Sequence, residues 1–181
     1  AHKLFYTAHC ARLTADPTWL AANRPLIQRW IDGMRDVMAN DAQGLLGKTR
    51  AGDIHTHCYY SNHQAIGWRG LRDMATLCTD QGWHDDARAA AEAAESLRSA
   101  LLKTFNATKV DMPDGTLFFP KVLQDSPAIP YDPITATRLG SYWNLSIGTT
   151  LKSGIFDPRG DTMRRTVDYM LLHGARLLGL T

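Results

Sequence analysis

The sequence predicts an all-α protein built from three helical hairpins. Three observations carry this reading. Apolar residues recur near every 3.6 positions in six stretches. Helix-start and helix-stop residues flank several of them. Connections are short within successive pairs of stretches and long between the pairs. A composition of 44% hydrophobic and 21% charged residues suits a globular chain and excludes disordered or fibrous classes. The 181 residues are read as one helical domain with a sizeable core, residues 1–181.

The first stretch covers residues 2–14, with Leu4, Phe5, Ala8 and Ala11 on one face. Asp16 and Pro17, a side-chain cap followed by a proline suited to the first helical position, open the second. Its inward residues are Ile27, Trp30, Ile31, Met34 and Val37, and Pro25 should kink it or split off its first turn. The third runs over 62–81 with Leu71, Met74, Ala75 and Cys78 inward, and Gly82 is its expected stop. Alanine-rich 84–105 is the fourth, with Ala87, Ala91, Ala94, Leu97, Leu101 and Phe105 facing in. The fifth, 135–153, carries Leu139, Trp143, Ile147 and Leu151. The sixth, 161–178, opens at Asp161 as cap and carries Met163, Val167, Met170, Leu171 and Leu178.

The connectors 40–61 and 107–134 both exceed the ~12–15 residues that structureless loops usually reach, which marks them as functional. In the second, Pro113-Asp114-Gly115 reads as a turn leading into a short β segment at 116–119. Three hairpins of this kind make either a small bundle or half of a larger closed array, and periodicity does not separate the two. The first residue is Ala1 and no leader pattern follows it, so the chain reads as a processed form or a fragment.

Several function classes lose support. Twenty basic and 18 acidic side chains leave a formal charge of +2, too even to attract nucleic acid or anionic lipid over distance. No window is long and apolar enough for a membrane span. Cys10, Cys58 and Cys78 form no CxxC pair, which argues against a disulfide framework and mildly for a reducing compartment. Nucleotide-binding glycine loops and the GxSxG nucleophile motif are absent. His55, His57 and His63 with Asp53 and Cys58 resemble a ligand cluster but match no metal spacing, so no metal or other cofactor is expected.

Two carboxyl groups set apart can perform general acid and base work. Glu92 and Glu95 fall on a solvated helix face, and most aspartates cap helices, make turns or sit beside arginines. Asp53 and Asp132 stand out. Each is expected just before a helix, at the end of a long connector rich in rings and hydrogen-bonding groups. Around Asp53 are Arg50, His55, Tyr60 and Asn62. After Asp132 come Arg138, Tyr142, Trp143 and Asn144. Aromatic rings stack on the CH faces of sugars while Asp, Asn, Arg and His hold hydroxyls, so carbohydrate is the expected partner. As plain loop structure, Asp53 and Asp132 would instead form Asx turns or pair with Arg50 and Arg138.

Two stretches, Tyr60-Ser61-Asn62-His63-Gln64-Ala65-Ile66-Gly67-Trp68-Arg69-Gly70-Leu71 and Arg138-Leu139-Gly140-Ser141-Tyr142-Trp143-Asn144-Leu145, resemble the six-hairpin glycosidase class. So does the continuation through Gly154-Ile155-Phe156 to His173-Gly174-Ala175-Arg176. This class of (α/α)6 toroids includes glucoamylase-like, trehalase-like and α-L-rhamnosidase-like enzymes. The resemblance implies that the chain supplies three hairpins of six, the rest coming from a missing half or another copy. It implies inverting hydrolysis of glycosidic bonds, with Asp53 first and Asp132 second as catalytic carboxyls. Arg50, His55, Tyr60, Asn62, Arg138, Tyr142, Trp143 and Asn144 would then line the sugar site. The class often uses a loop glutamate, which this chain lacks. A non-catalytic carbohydrate-binding or scaffold domain is the alternative.

Overall fold

The computed structural model describes residues 2–51, 54–124 and 143–173, with backbone alone at 51 and 54–56. Six helices account for most of these residues: α1 (His2–Thr14), α2 (Pro17–Ala39), α3 (Ser61–Asp80), α4 (His84–Thr108), α5 (Trp143–Lys152) and α6 (Asp161–Leu172). Five short strands lie between them: β1 (Thr49–Ala51), β2 (Ile54–Tyr60), β3 (Val110–Asp111), β4 (Leu117–Phe118) and β5 (Val122–Leu123). The chain divides into two compact units, residues 1–48 with 63–101, and residues 49–62 with 102–181.

The first unit is helical and its core is mostly aliphatic, with the Trp68 ring also buried. Leu4, Ala8, Leu20, Ile27, Ile31, Leu71, Met74, Ala90, Leu97 and Leu101 are buried in it. Asp16 caps α2 as expected, its carboxylate accepting from the amides of Thr18 and Trp19 at 3.0 Å each. Pro25 does not split α2. Proline lacks the N–H that would bond the Ala21 carbonyl one turn back, and both residues are exposed. Gly82, at φ +72°, ends α3. Its amide donates to Thr79 and that of Trp83 to Cys78, the paired bonds of a Schellman stop. Gly70 lets α1 approach α3 closely, because a Cβ there would lie 2.8 Å from the Phe5 amide nitrogen.

Two buried carboxylates brace this unit. Asp86 takes Arg24 Nε at 2.7 Å and Gln28 Nε2 at 2.8 Å, tying α4 to α2. The Arg24 guanidinium also lies 4.9 Å from the Trp83 ring centre. Asp73 accepts from Arg69 at 2.6 Å and from Arg72 at 2.9 Å.

The second unit has an aromatic core set on short strands. Phe105 contacts Phe119 and Phe156, with ring centres 5.1 Å apart in both cases. Phe118, Trp143 and Tyr169 form a second triad at 5.2–5.7 Å. The Trp143 indole N–H donates to the Phe119 carbonyl at 2.7 Å, which satisfies its one polar atom. The β segment expected at 116–119 is β4, paired antiparallel with β3.

Several details correct the sequence reading. The two long connectors are not structureless: β1 and β2 occupy the first, and β3, β4 and β5 the second. Ala91 is exposed while Ala90 and Ala93 are buried, and Met38 replaces the exposed Val37. In α6 the buried residues are Thr166 and Tyr169, with Val167 turned outward. Gly160 is the cap of α6, so Asp161 is its first residue and pairs with Arg164 instead. Only part of the fifth and sixth predicted helices can be compared, since 135–142 and the stretch from 174 lie outside the described residues.

Candidate functional site

The two long connectors meet in the second unit. Strand β2 from the first pairs antiparallel with β1 on one side and with β5 from the second connector on the other. Tyr59 faces Leu123 and Tyr60 faces Val122 in that register. The ladder is prolonged when the Ser61 amide, at the start of α3, donates to the Lys121 carbonyl at 2.8 Å. One turn inside α5's far end, Thr150 Oγ1 lies 3.2 Å from Ser61 Oγ, a buried hydroxyl pair. Segment 119–121 is therefore held at both ends, by Trp143 through Phe119 and by Ser61 through Lys121.

Around this junction stand several residues singled out by the sequence. Tyr60 is 1% exposed and Trp143 0%, so neither ring offers a face to a ligand. Burial, followed by Cys58 two residues back on the same strand face, pushes the Tyr60 phenol above its usual range. Asn62 and Asn144 are the second residues of α3 and α5. The side-chain oxygens of both are buried and accept no hydrogen bond from the described residues. Arg50, exposed on β1, donates from Nε to His57 Nε2 at 3.1 Å.

Asp53, Asp132, Arg138 and Tyr142 lie outside the described residues, as does the side chain of His55. The strand partners Ala51 and Ile54 flank position 53, and α3 begins only at Ser61, so the expectation of a helix directly after Asp53 is corrected. Among the described residues no group of three or more His, Cys, Asp or Glu side chains is arranged to hold a metal ion. The cysteines are free thiols: Cys10 exposed, Cys58 half-buried and Cys78 buried, where desolvation pushes the thiol up to about 11.

The sequence reading passed over three features. Lys121 is completely buried, unusual for a lysine, and nothing in its neighbourhood of sequence foretells it. Asp114 accepts from Thr116 Oγ1 at 2.7 Å and from its amide at 3.0 Å, then meets His173 Nε2 at 2.8 Å. The Asp-Gly-Thr turn is legible in the chain, but its distant histidine is not. In the first unit, a groove of about 560 Å³ lined by Asp32, Arg35, Asp36, Glu92 and Ser96 puts Glu92 beside a cavity. Asp32 there is paired with Arg35 at 3.7 Å.

No protein-family model, no curated protein and no solved structure matches this chain.

Proposed function

We propose that the chain is part of a carbohydrate-active domain of the helical-toroid type, a glycoside hydrolase acting through two carboxyl groups. One observation carries this reading: the two long connectors are hydrogen-bonded to each other through Tyr60, Ser61 and the 121–123 segment. Connectors that join hairpins and converge are the framework on which such a site would be built. They bring the chain leading into Asn62 and the chain leading toward Trp143 and Asn144 to one junction. The unpartnered amide oxygens of Asn62 and Asn144 add support, since sugar hydroxyls are donors.

In this reading Asp53 is the general acid or base, Asp132 the second choice, and the partner carboxyl is Asp132 or a group of the toroid half that this chain does not supply. An inverting pair would stand roughly 6.5–9.5 Å apart, leaving room for the attacking water. The acid protonates the leaving glycosidic oxygen while the other carboxylate takes a proton from water. Arg50, His55, Arg138 and Tyr142 would hold sugar hydroxyls.

The second reading is a carbohydrate-binding or scaffold domain without turnover, and the burial of Tyr60 and Trp143, which removes two stacking platforms, favours its scaffold form. A saccharide panel distinguishes them. The hydrolase reading expects reducing ends released by the wild type. It expects Asp53→Asn to lose at least about a hundredfold in rate, general acid–base catalysis contributing 10²–10⁴-fold, with ligand-induced thermal stabilisation retained. Stabilisation without product from the wild type establishes the second reading. No response to any saccharide defeats the hydrolase and the sugar-binding readings and leaves the scaffold.

A further inference from the structure

We propose that the end of α6 is fastened to the β3–β4 turn by a proton-dependent clasp, His173 on Asp114, which loosens when the imidazole loses its charge. The inference is independent of the carbohydrate reading.

Arg165 and Tyr169 of α6 and His173, which caps it, are spaced by four and touch the hairpin or its core. Arg165 makes the permanent attachment. Its Nε donates to the Gly115 carbonyl at 2.7 Å and its Nη2 to Asp111 at 2.6 Å, with Thr116 O at 3.3 Å. Tyr169, fully buried, packs against Phe118 and Trp143. His173, the residue that ends the helix, stacks on Tyr169 with ring centres 4.3 Å apart and reaches Asp114 Oδ2 at 2.8 Å. At about 1.5 Å per residue the two attachments are roughly 12 Å apart along the axis. One is held by a guanidinium that stays charged, the other by a group that titrates near neutrality.

Asp114 is prepared to receive a cation. Thr116 occupies its other oxygen through hydroxyl and amide, and these bonds, with His173, hold the carboxyl down at about 2. Asp114 therefore stays ionised while His173 gains or loses its proton. Among the described residues, the groups that contact His173 include Asp114 on the turn and Tyr169 on its own helix, with Arg165 and its partner Asp111 farther along the same face. Asp161 and Asp168 are engaged by Arg164. The C-terminal end of the α6 dipole also favours a cation at position 173.

The sign follows from which group changes. With His173 protonated the contact is a charge-assisted bond between opposite charges. With His173 neutral the ring N–H still donates to the Asp114 carboxylate, but the attraction between opposite charges is gone. The clasp is tight below the imidazole range and slack above it. At the acid end, Asp114's contribution is lost as pH falls through about 2.

Hydrogen exchange of the full chain, corrected for intrinsic exchange rates, tests this. Protection of amides in 169–173 and 112–116 should fall on the order of threefold to tenfold between pH 5.5 and 8.5, as the ion pair gives way to a bond from a neutral donor. His173→Gln, which keeps a neutral donor, should remove the pH step and leave protection at the high-pH level. Asp114→Asn should remove the step with His173 intact. His84→Gln, a histidine of the first unit, should keep it. A wild type with no step, or a full step surviving in His173→Gln or Asp114→Asn, overturns the proposal.

Discussion

The two compact units solve the same problem with different materials. The first packs long helices mainly through Leu, Ile, Met and Ala, with the buried ring of Trp68, and braces them with two buried carboxylates on arginines. The second has short strands, shorter helices and a cluster of Phe, Trp and Tyr rings at 5.1–5.7 Å. A helix satisfies its own backbone, so small aliphatic residues suffice to close the first core. Two-residue strands satisfy little of theirs and have few side chains each. Large rings supply there the area that strand length does not.

The comparison sharpens most at Trp143. Trp143→Ala removes the indole stacked on Phe118 and its bond to Phe119, and should cost about 3–5 kcal/mol in denaturant unfolding. Leu97→Ala, at an equally buried site of the first core, is its counterpart at about 2–5 kcal/mol. Segment-resolved hydrogen exchange should show each loss confined to its own unit. Equal loss throughout the chain from either variant would make the division into two cores energetically empty.

Asp86→Ala is the next largest effect. It leaves Arg24 and Gln28 without their shared acceptor, and because Arg24 is 40% exposed, water takes over part of the role. A loss of about 2 kcal/mol is expected, read from the urea midpoint. A neutral outcome would reduce the brace to a surface pair. Gly70→Ala is smaller, about 1–3 kcal/mol, because the new methyl meets the Phe5 backbone of α1 and that helix must shift. An unchanged midpoint would show that α1 gives way freely, and the first unit would then be less closely packed than the second.

The legibility of the fold follows the same division. The first four helices were readable to within a few residues, because each carries its own period and punctuation: Asp16 and Pro17 at one start, Gly82 at one stop. Face assignments failed by one position where alanines or β-branched residues were interchangeable, as at Ala91 and Val37. Of the connector strands only β4 was expected; β1, β3 and β5 were missed because two or three residues carry no period. The pairing of β5 is decided by a partner more than sixty positions away, as with Tyr60 and Val122. For the site, Asn62, Asn144 and Tyr60 could be picked out by type and neighbourhood, whereas the buried Lys121 and the Asp114–His173 contact could not.

By itself the chain determined what local physics decides: helical periodicity, caps, stops and the absence of a helix long and apolar enough to cross a membrane among the described residues. Tertiary structure alone decided that the two connectors join, that Trp143 and Tyr60 are core rings and that Asp114 finds His173. The reason is range. A hydrogen bond within a helix is specified by four consecutive residues, but a strand partner or a distant ion pair is chosen by how the whole core closes around it.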